Sequence, residues 1–352
     1  MIELMQGDIL KAQTEALVNT VNCMGVMGRG IALQFRKAFP DNFRAYKHVC
    51  DRKRLQPGQV FVFDLGRFES PRYVINFPTK QHWRGKSKLK DIQAGLDALL
   101  EEIRVRGIRS VAVPPLGCGL GGLDWDEVKP MIEEAFASLP EIHVQVYEPK
   151  GAPAPETMVD HTAAPKMTPG RAALLGLMRR YLAGLMDVSV SLLEIHKLMY
   201  FLQEAGEPLK LNYEKAPYGP YAKNLRHVLN RIEGHFITGY GDAQDAPERQ
   251  IELKPDASQR AEGFLQTHAE TQSRLDRVGS LIEGFETPYG MELLSTVHWV
   301  STREHTHTVD DAETHTYQWA PRKRMFKPEH IQVAWQVLTS KGWLPERKEH
   351  CQ

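Results

Sequence analysis

The sequence contains few cysteines and no long apolar run. Its four cysteines among 352 residues, Cys23, Cys50, Cys118 and Cys351, form no C-x-x-C pair and lack the spacing of zinc ligands. This use of cysteine is ordinary in a reducing compartment, and we expect no metal site. No apolar stretch approaches the roughly 20 residues of a membrane span, and the N-terminal MIELMQGDILK is too polar for a signal peptide. We therefore expect a cytoplasmic protein with no membrane partner.

Neither sign of charge is in excess, since 44 Lys and Arg balance 44 Asp and Glu. Bulk charge therefore gives no argument for binding nucleic acid or a membrane, and local patches must be judged separately. At 352 residues, of which 42% are hydrophobic, the chain is long enough for two globular domains. The segment at residues 149–170 is rich in Pro, Ala and Gly and has no apolar periodicity. It predicts a linker between domains at 1–148 and 171–352.

Apolar strands and amphipathic helices are mixed in the first 148 residues. The predicted strands are Ile2–Met5, Ala16–Val21, Val60–Leu65, Tyr73–Phe77, Ser110–Pro114 and His143–Tyr147. The first predicted helix runs from the first glycine-rich turn to about Asp51. Two further helices are predicted at Leu89–Val105 and Asp126–Leu139. Strands and helices in this order predict an α/β domain of three layers.

Beyond the linker, the apolar periodicity is mainly helical. The predicted helices are Arg171–Met186, Leu192–Ala205, Tyr221–Ile237, Ala257–Ile282 and Pro328–Leu338, with a possible strand at Gln250–Leu253. Proline and glycine at Pro217–Pro220 and at Thr287–Gly290 predict turns between helices. The second domain is therefore expected to be mainly α-helical.

Two glycine-rich loops follow predicted strands of the first domain. Gly25, Gly28 and Gly30 come after the strand at Ala16–Val21, and the segment PPLGCGLGG at Pro114–Gly122 comes after the strand that begins at Ser110. Such a loop before a helix lets backbone N–H groups surround a phosphate. One loop alone is equally well explained as a connection that only turns the chain. Two loops favour a crevice that holds a diphosphate from both sides.

Four motifs resemble the ADP-ribose-contacting segments of the macrodomain family. They are Gly7-Asp8-Ile9, Val18–Asn22, Met27–Ala32 and Gly117–Gly121, and they occur in the family's order within residues 1–148. The resemblance implies an α/β/α fold with a mixed central sheet, and a site for ADP-ribose.

The resemblance also implies a role for individual residues. Asp8 would accept a hydrogen bond from the adenine amino group with help from the Ile9 backbone, Tyr147 would lie against the adenine, and Asn22 would bind the distal ribose. The glycine loops would hold the diphosphate, with Arg29 close by. The full implied set is Asp8, Ile9, Thr20, Asn22, Gly28, Arg29, Gly30, Ile31, Thr79, Gly117, Cys118, Gly119, Leu120, Gly121 and Tyr147.

Some of these residues also have a purely structural interpretation. Asp8 is a good helix or turn cap, Asn22 a good turn residue, and Arg29 suits a solvated helix start. Cys118 has no histidine close by in sequence and is better explained as a small residue that permits close backbone approach than as a nucleophile.

A narrower resemblance is carried by the segment MGRGIA at Met27–Ala32 and by Thr79-Lys80. Both are similar to the macrodomain branch that contains a terminal ADP-ribose glycohydrolase and the DarG-type antitoxins, and in that branch the matching lysine is catalytic. An amine at Lys80 can attack the anomeric carbon of the ribose when it is neutral, or stabilise a leaving group when it is charged. From position alone, a solvated surface lysine is the alternative.

One position departs from the glycohydrolase of this branch. That enzyme has an acidic residue directly after its G-C-G-L segment, whereas this sequence has Gly121. The departure puts the cleavage of acyl esters of Asp and Glu in doubt and leaves room for a different linkage.

The resemblance to DarG-type antitoxins implies two macromolecular partners and no cofactor. One is single-stranded DNA with ADP-ribose on thymidine, from which the macrodomain would remove the modification. The other is a cognate DarT-type ADP-ribosyltransferase toxin, which the domain at 171–352 would bind and neutralise. His82, Trp83 and Arg84 combine aromatic and basic groups beside Lys80 and are the expected DNA contacts, unless Trp83 packs inward. The alternatives are a reader of ADP-ribose and a hydrolase of ADP-ribosylated proteins.

Overall fold

The computed structural model describes residues 1–149, 153–185, 188–242, 246–304 and 306–344. The first of two compact units is built from Met1–Ala163, and the second from most of the described residues that follow. Among the described residues, no helix is both long and apolar enough to cross a membrane.

A mixed sheet of six strands forms the centre of the first unit. In chain order the strands are β1 (Ile2–Met5), β2 (Ala16–Asn22), β3 (Phe61–Asp64), β4 (Tyr73–Lys80), β5 (Ser110–Val113) and β6 (His143–Tyr147). Their order across the sheet is β1-β6-β5-β2-β4-β3. Every neighbouring pair is parallel except β3 and β4, which are antiparallel. The strands predicted from the sequence are confirmed, with β4 extending three residues beyond the expected end at Phe77.

Helices cover both faces of this sheet. They are α1 (Gly30–Ala38), α2 (Pro40–Asp51), α3 (Leu89–Arg106) and α4 (Trp125–Ala137). Alternate residues of β2 point to opposite faces. Val18 packs in the core formed with α3 and α4, and Leu17 packs in the core formed with α1. The predicted three-layer α/β/α architecture is confirmed.

The prediction of a single helix that reaches Asp51 is wrong, because the helix is broken at Phe39. Phe39 has φ −130° and ψ 72°, and α2 begins at Pro40. Proline has no N–H to continue a helix and disfavours the helical conformation of the residue before it. The break turns the chain so that α2 runs back towards the loop that follows β2.

Three fully buried asparagines tie β2, β4 and α2 together. The Asn19 amide donates to Asn76 Oδ1 at 3.1 Å, and the Asn76 amide donates to Asn42 Oδ1 at 2.7 Å. All three side chains have no exposed surface. Buried amides are costly unless they are hydrogen-bonded, so this network fixes how α2 lies on the sheet.

Part of the predicted linker lies on the end of α1. Lys37 Nζ is 3.3 Å from an Asp160 carboxylate oxygen, and the His161 N–H donates to Lys37 O at 2.9 Å. A 3-10 turn at Pro155–Thr157 precedes these contacts.

The second unit is mainly helical, as predicted. Its helices are α5 (Pro169–Leu185), α6 (Leu192–Glu204), α7 (Leu225–Ile232), α8 (Ala257–Leu265), α9 (Ala269–Ile282), α10 (Pro288–Arg303), α11 (Val309–Trp319) and α12 (Pro328–Ser340). Short strands complete it: β7 (Ser189–Ser191), β8 (Tyr213–Ala216), β9 (Gly219–Ala222), β10 (Ile237–Thr238) and β11 (Gln250–Leu253). Helix α10, which the sequence analysis did not identify, packs against α6, α11 and α12.

Three local predictions in this unit are wrong. The helix expected at Tyr221–Ile237 is only α7, because Tyr221 belongs to a hairpin in which β8 and β9 pair antiparallel. The helix expected at Ala257–Ile282 is divided into α8 and α9, where the Thr267 hydroxyl donates to Phe264 O at 2.9 Å and competes with the helical hydrogen bonds. The turn expected at Thr287–Gly290 is instead the start of α10, with Thr287 Oγ1 accepting from Gly290 N at 2.9 Å.

Candidate active site

The carboxyl ends of five parallel strands meet at one edge of the central sheet. Asp8 follows β1, Asn22 and Lys80 end β2 and β4, and Tyr147 ends β6. The second glycine loop follows β5. The sheet therefore brings most of the predicted site residues to the edge where α/β folds bind ligands.

The Asn22 side chain shapes the first glycine loop. Its amide donates to Val26 O at 2.6 Å, and its Oδ1 accepts from Met24 N at 2.8 Å. The Tyr46 hydroxyl, buried beneath the loop, donates to Asn22 O at 2.6 Å. Asn22 thus acts in this structure as the turn residue that the sequence allowed. Tyr46 was not identified from the sequence, where nothing distinguishes it from other aromatic residues on a helix.

Both glycine loops depend on left-handed backbone conformations. Gly30 has φ +57° and Gly117 has φ +74°, a region that residues with a side chain rarely adopt. A Cβ placed on Gly30 would lie 4.0 Å from Leu120 Cδ1, so the first loop faces the second. Leu120 itself is 67% exposed.

Gly121 has no room for a side chain. A Cβ at this position would lie 2.3 Å from Gly117 O and 2.3 Å from Ser87 Oγ, well inside contact distance. An acidic side chain, or any other, at position 121 therefore requires this loop to shift. Ser87, which the sequence analysis did not identify, is 7% exposed, and its N–H donates to Gly121 O at 3.0 Å. A lone serine in a basic loop carries no sequence signal for this role.

Lys80 is the last residue of β4, and its side chain reaches the second glycine loop. It pairs in register with Asn22, after an irregularity between Val21 and Asn22. Its Nζ donates to Leu120 O at 2.9 Å. Partial burial lowers the pKa of Lys80 below its ordinary value of 10.5, because removing water disfavours the charged amine. The carbonyl needs only one N–H from the amine, so the neutral form keeps this hydrogen bond and retains a lone pair.

The two threonines of the predicted set differ in exposure. Thr79 is 3% exposed, and its hydroxyl is 3.5 Å from Val21 O, so it faces the neighbouring strand. Thr20 is partly exposed. Arg29 is the residue directly before α1, and Ile31 packs against the core formed with α1.

The residues expected around adenine lie at the other end of the edge. Asp8 Oδ1 accepts from Leu10 N at 3.0 Å and caps the 3-10 turn Ile9–Lys11. Asp8 Oδ2 is buried and has no hydrogen-bond partner among the described residues, so one oxygen remains to accept a hydrogen bond. Tyr147 is 6% exposed and packs with Ile9 and Phe35. Burial, with a smaller contribution from the Asp8 charge, raises the pKa of Tyr147.

His82, Trp83 and Arg84 form a stacked group on the loop after β4. The His82 and Trp83 rings are 5.4 Å apart and nearly parallel, and Arg84 Cζ lies 4.5 Å from the centre of the Trp83 ring. Trp83 is 38% exposed, so it does not pack inward. An exposed indole with a cation beside it is a surface on which an unpaired base can stack.

Cys118 lies in the second glycine loop as a protonated thiol. Burial, reinforced by the charge of Asp124, raises the pKa of Cys118 to about 11, and its Sγ is 3.5 Å from Leu116 O. Thiolates, not thiols, are the reactive form, so Cys118 is unsuited to act as a nucleophile. Within the described part of the chain, no three His, Cys, Asp or Glu residues group closely enough to hold a metal ion.

A mixed six-stranded sheet between two helical layers, with paired glycine loops at its carboxyl edge, defines the first unit as a macrodomain. The Macro domain family matches residues 18–132. The chain is 45% identical over 344 residues to a DNA ADP-ribosyl glycohydrolase of Thermus aquaticus, covering 98% of this chain and 94% of that protein. The chain therefore belongs to the family of DNA ADP-ribosyl glycohydrolases, the DarG family.

Two further relatives match only part of the chain. A DNA ADP-ribosyl transferase-DNA ADP-ribosyl glycohydrolase fusion protein of Thermosipho africanus is 34% identical over 163 residues, which cover 42% of each chain. The solved macrodomain of Mycobacterium tuberculosis DarG is 53% identical and covers 43% of this chain and 99% of that one, with a TM-score of 0.42.

Substitution of Gly121 tests the crowding of the second loop. We expect Gly121→Ala to weaken ADP-ribose binding at least about tenfold, because a displaced loop misaligns its phosphate-binding N–H groups. Gly263→Ala is the matched control, since a Cβ there meets nothing within 4 Å and the residue lies in α8, outside the candidate site, and we expect it to cost at most about threefold. Isothermal titration calorimetry with ADP-ribose measures both. Equal affinities for the two variants would contradict the crowding argument.

Proposed function

We propose that this chain is an antitoxin that acts in two ways. Its macrodomain removes ADP-ribose from thymidine in single-stranded DNA. Its second unit, which we assign to residues 171–352, binds and neutralises a cognate DarT-type ADP-ribosyltransferase toxin. Membership of the DNA ADP-ribosyl glycohydrolase family over 98% of the chain supports the first activity.

The observation that carries the catalytic proposal is the position of the Lys80 amine. It lies at the carboxyl edge of the sheet, 2.9 Å from a carbonyl of the second glycine loop, and partial burial lowers its pKa below the ordinary value. With the diphosphate held by the two loops, the distal ribose would extend towards this amine. The neutral amine would then attack the anomeric carbon as the bond to thymine breaks.

The overall reaction is the hydrolysis of an N-glycosidic bond. The carbon–nitrogen bond between the ribose and thymine breaks, and the nitrogen takes a proton. Water then releases the sugar from Lys80, so its oxygen ends on the anomeric carbon and the amine is regenerated. Gly121 offers no carboxylate at this point of the second loop, so water must be activated by another group.

The exposed group His82–Trp83–Arg84 supports DNA as the carrier of the modification. Only Gln81 separates it from Lys80 in the chain, so we expect a nucleotide next to the modified thymidine to reach the Trp83 ring. Base stacking and phosphate neutralisation are the two contributions that bind single strands. Recognition of an ADP-ribosylated protein does not require a surface on which bases stack, so this group favours DNA as the carrier.

Toxin binding by the second unit is supported by a relative in which the glycohydrolase is fused to a transferase. In the Thermosipho africanus protein, a DNA ADP-ribosyl transferase and a DNA ADP-ribosyl glycohydrolase are fused. A modifying activity and its reversal are thus paired in one polypeptide. We propose that here the transferase and the glycohydrolase are separate proteins, which bind each other through the second unit of this chain.

Lys80 distinguishes the hydrolase from a reader of ADP-ribose. We expect Lys80→Ala to lower kcat on ADP-ribosylated oligonucleotides at least about a thousandfold while keeping the affinity for free ADP-ribose within about threefold. Lys80→Arg keeps the charge without a nucleophilic amine, so we expect it to be equally inactive. Release of ADP-ribose, followed by gel mobility and mass spectrometry, measures the rates. An active Lys80→Arg variant would mean that Lys80 works as a cation, and an inactive wild type would favour the reader.

The pH dependence follows from the lowered pKa of Lys80. A neutral amine is required for attack, so we expect kcat/KM to rise tenfold per pH unit and to level off below pH 10.5, the ordinary pKa of lysine. Burial shifts the rise towards lower pH because it favours the neutral form. Initial rates under single-turnover conditions between about pH 5 and about pH 10 trace the profile. A rate that falls as Lys80 loses its proton would contradict the nucleophilic role.

Toxin neutralisation is expected to be independent of hydrolysis. We expect the full chain with Lys80→Ala to co-purify with the cognate toxin and to inhibit its ADP-ribosylation of DNA, because the proposed contact lies outside the macrodomain. A chain that ends at Ala163 is expected to do neither. Affinity purification after co-expression and an assay with labelled NAD measure the two effects. If the shortened chain inhibited the toxin as strongly as the wild type, the second unit would not be needed for toxin neutralisation.

A further inference from the structure

Apolar side chains are exposed on the loops beside Lys80. Met24 and Val26 project from the loop after β2 with 50% and 40% of their surfaces exposed, and Trp83 projects from the loop after β4. Exposed apolar side chains at the rim of a site are typical of surfaces that contact a partner.

Direct contacts join these two loops to each other and to the end of α2. The Cys23 N–H donates to Gln81 O at 3.1 Å, which connects the loop of Met24 to the loop of Trp83. A Cβ on Gly25 would lie 3.2 Å from Lys47 Cγ and 3.5 Å from Cys50 Cβ, so the same loop lies on the last turn of α2.

The chain leaves α2 through three consecutive cations, Arg52-Lys53-Arg54, which we call the basic segment. It is held against the helix end, because the Lys53 N–H donates to Cys50 O at 2.8 Å. All three side chains are exposed, and none forms an ion pair with an acidic residue within residues 1–149. The nearest acid in sequence, Asp51, is already paired with Lys47 at 2.7 Å. The basic segment therefore presents three positive charges without local compensation.

We propose that the single strand of DNA extends from Trp83 across Met24 and Val26 to the basic segment. This inference rests on the proposed function and names where the nucleotides that flank the modified thymidine bind. The bases lie on the exposed apolar side chains, and the phosphates face the three cations. Unpaired bases are needed for such contacts, so the surface selects a single strand over a duplex.

Charge and apolar contact make different contributions, and salt separates them. Each cation that neutralises a phosphate of a single strand adds about 0.7 to the slope of log K against log salt concentration. Apolar contact adds affinity without adding to that slope. The basic segment and the apolar side chains can therefore be distinguished by how the binding affinity depends on salt concentration.

The experiment uses the full chain and an unmodified, fluorescein-labelled single strand of about 12 nucleotides, a length within the range that single-strand sites cover. We expect Arg52→Gln/Lys53→Gln/Arg54→Gln to weaken binding about tenfold at roughly 50 mM salt and to reduce the salt slope by about 2. The matched control is Arg104→Gln/Arg106→Gln/Arg109→Gln. These three exposed arginines lie at the end of α3 and before β5, at the opposite edge of the sheet, and we expect wild-type binding.

A second variant tests the apolar half. We expect Met24→Thr/Val26→Thr to weaken binding about three- to tenfold at every salt concentration, with the slope unchanged. Fluorescence anisotropy measures all the variants, and affinity for free ADP-ribose verifies that each site is intact. Binding by the basic-segment variant with wild-type affinity and slope would overturn the proposal, as would an equal loss in the control at the opposite edge.

Because the probe carries no ADP-ribose, the readout does not depend on catalysis. A wild type that binds the strand through the basic segment but cleaves no modified DNA would leave this surface standing and refute the proposed reaction. A wild type that cleaves modified DNA but binds the strand without using the basic segment would refute this surface and leave the proposed reaction standing.

Discussion

The parallel pairing of β2 with β4 is the constraint on which the candidate site depends. It sets Asn22 opposite Lys80, and it aligns the carboxyl ends of these strands with that of β5, from which the second glycine loop leaves. Lys80 is the last residue of a strand that is buried almost throughout, so its backbone is fixed by the sheet rather than by a loop. Groups carried on such rigid elements keep their geometry better than groups on loops.

The loops at this edge are held by hydrogen bonds from residues that lie behind them. Tyr46 supports the first loop through Asn22 O, and Ser87 supports the second through Gly121 O. Ser87 also ends the loop that carries Trp83, so the proposed DNA-contacting loop and the loop proposed to hold the diphosphate share a support. The two loops are therefore joined through the hydrogen bond from Ser87 N to Gly121 O.

The sequence was sufficient for features that depend on local pattern. Alternation of apolar residues located β1 and β6 to the residue, and the need for left-handed backbone made Gly30 and Gly117 recognisable as loop glycines. Features that depend on contacts between distant residues were missed. Asn76 and Ser87 acquire their roles only when other elements pack against them. The break at Phe39 had a local signal in Pro40. The turn of the β8–β9 hairpin was expected at Pro217–Pro220, but Tyr221 was assigned to the following helix because its pairing with Glu214 depends on the other strand.

The crowding at Gly121 also limits which residues this chain can accept at that position. An acidic residue is one base change away from glycine, yet its Cβ at position 121 would collide with the backbone of its own loop and with Ser87. Remodelling of that loop must come first. The effect of any substitution at position 121 therefore depends on the residues around it, so this position is epistatic with Ser87 and with the rest of its own loop.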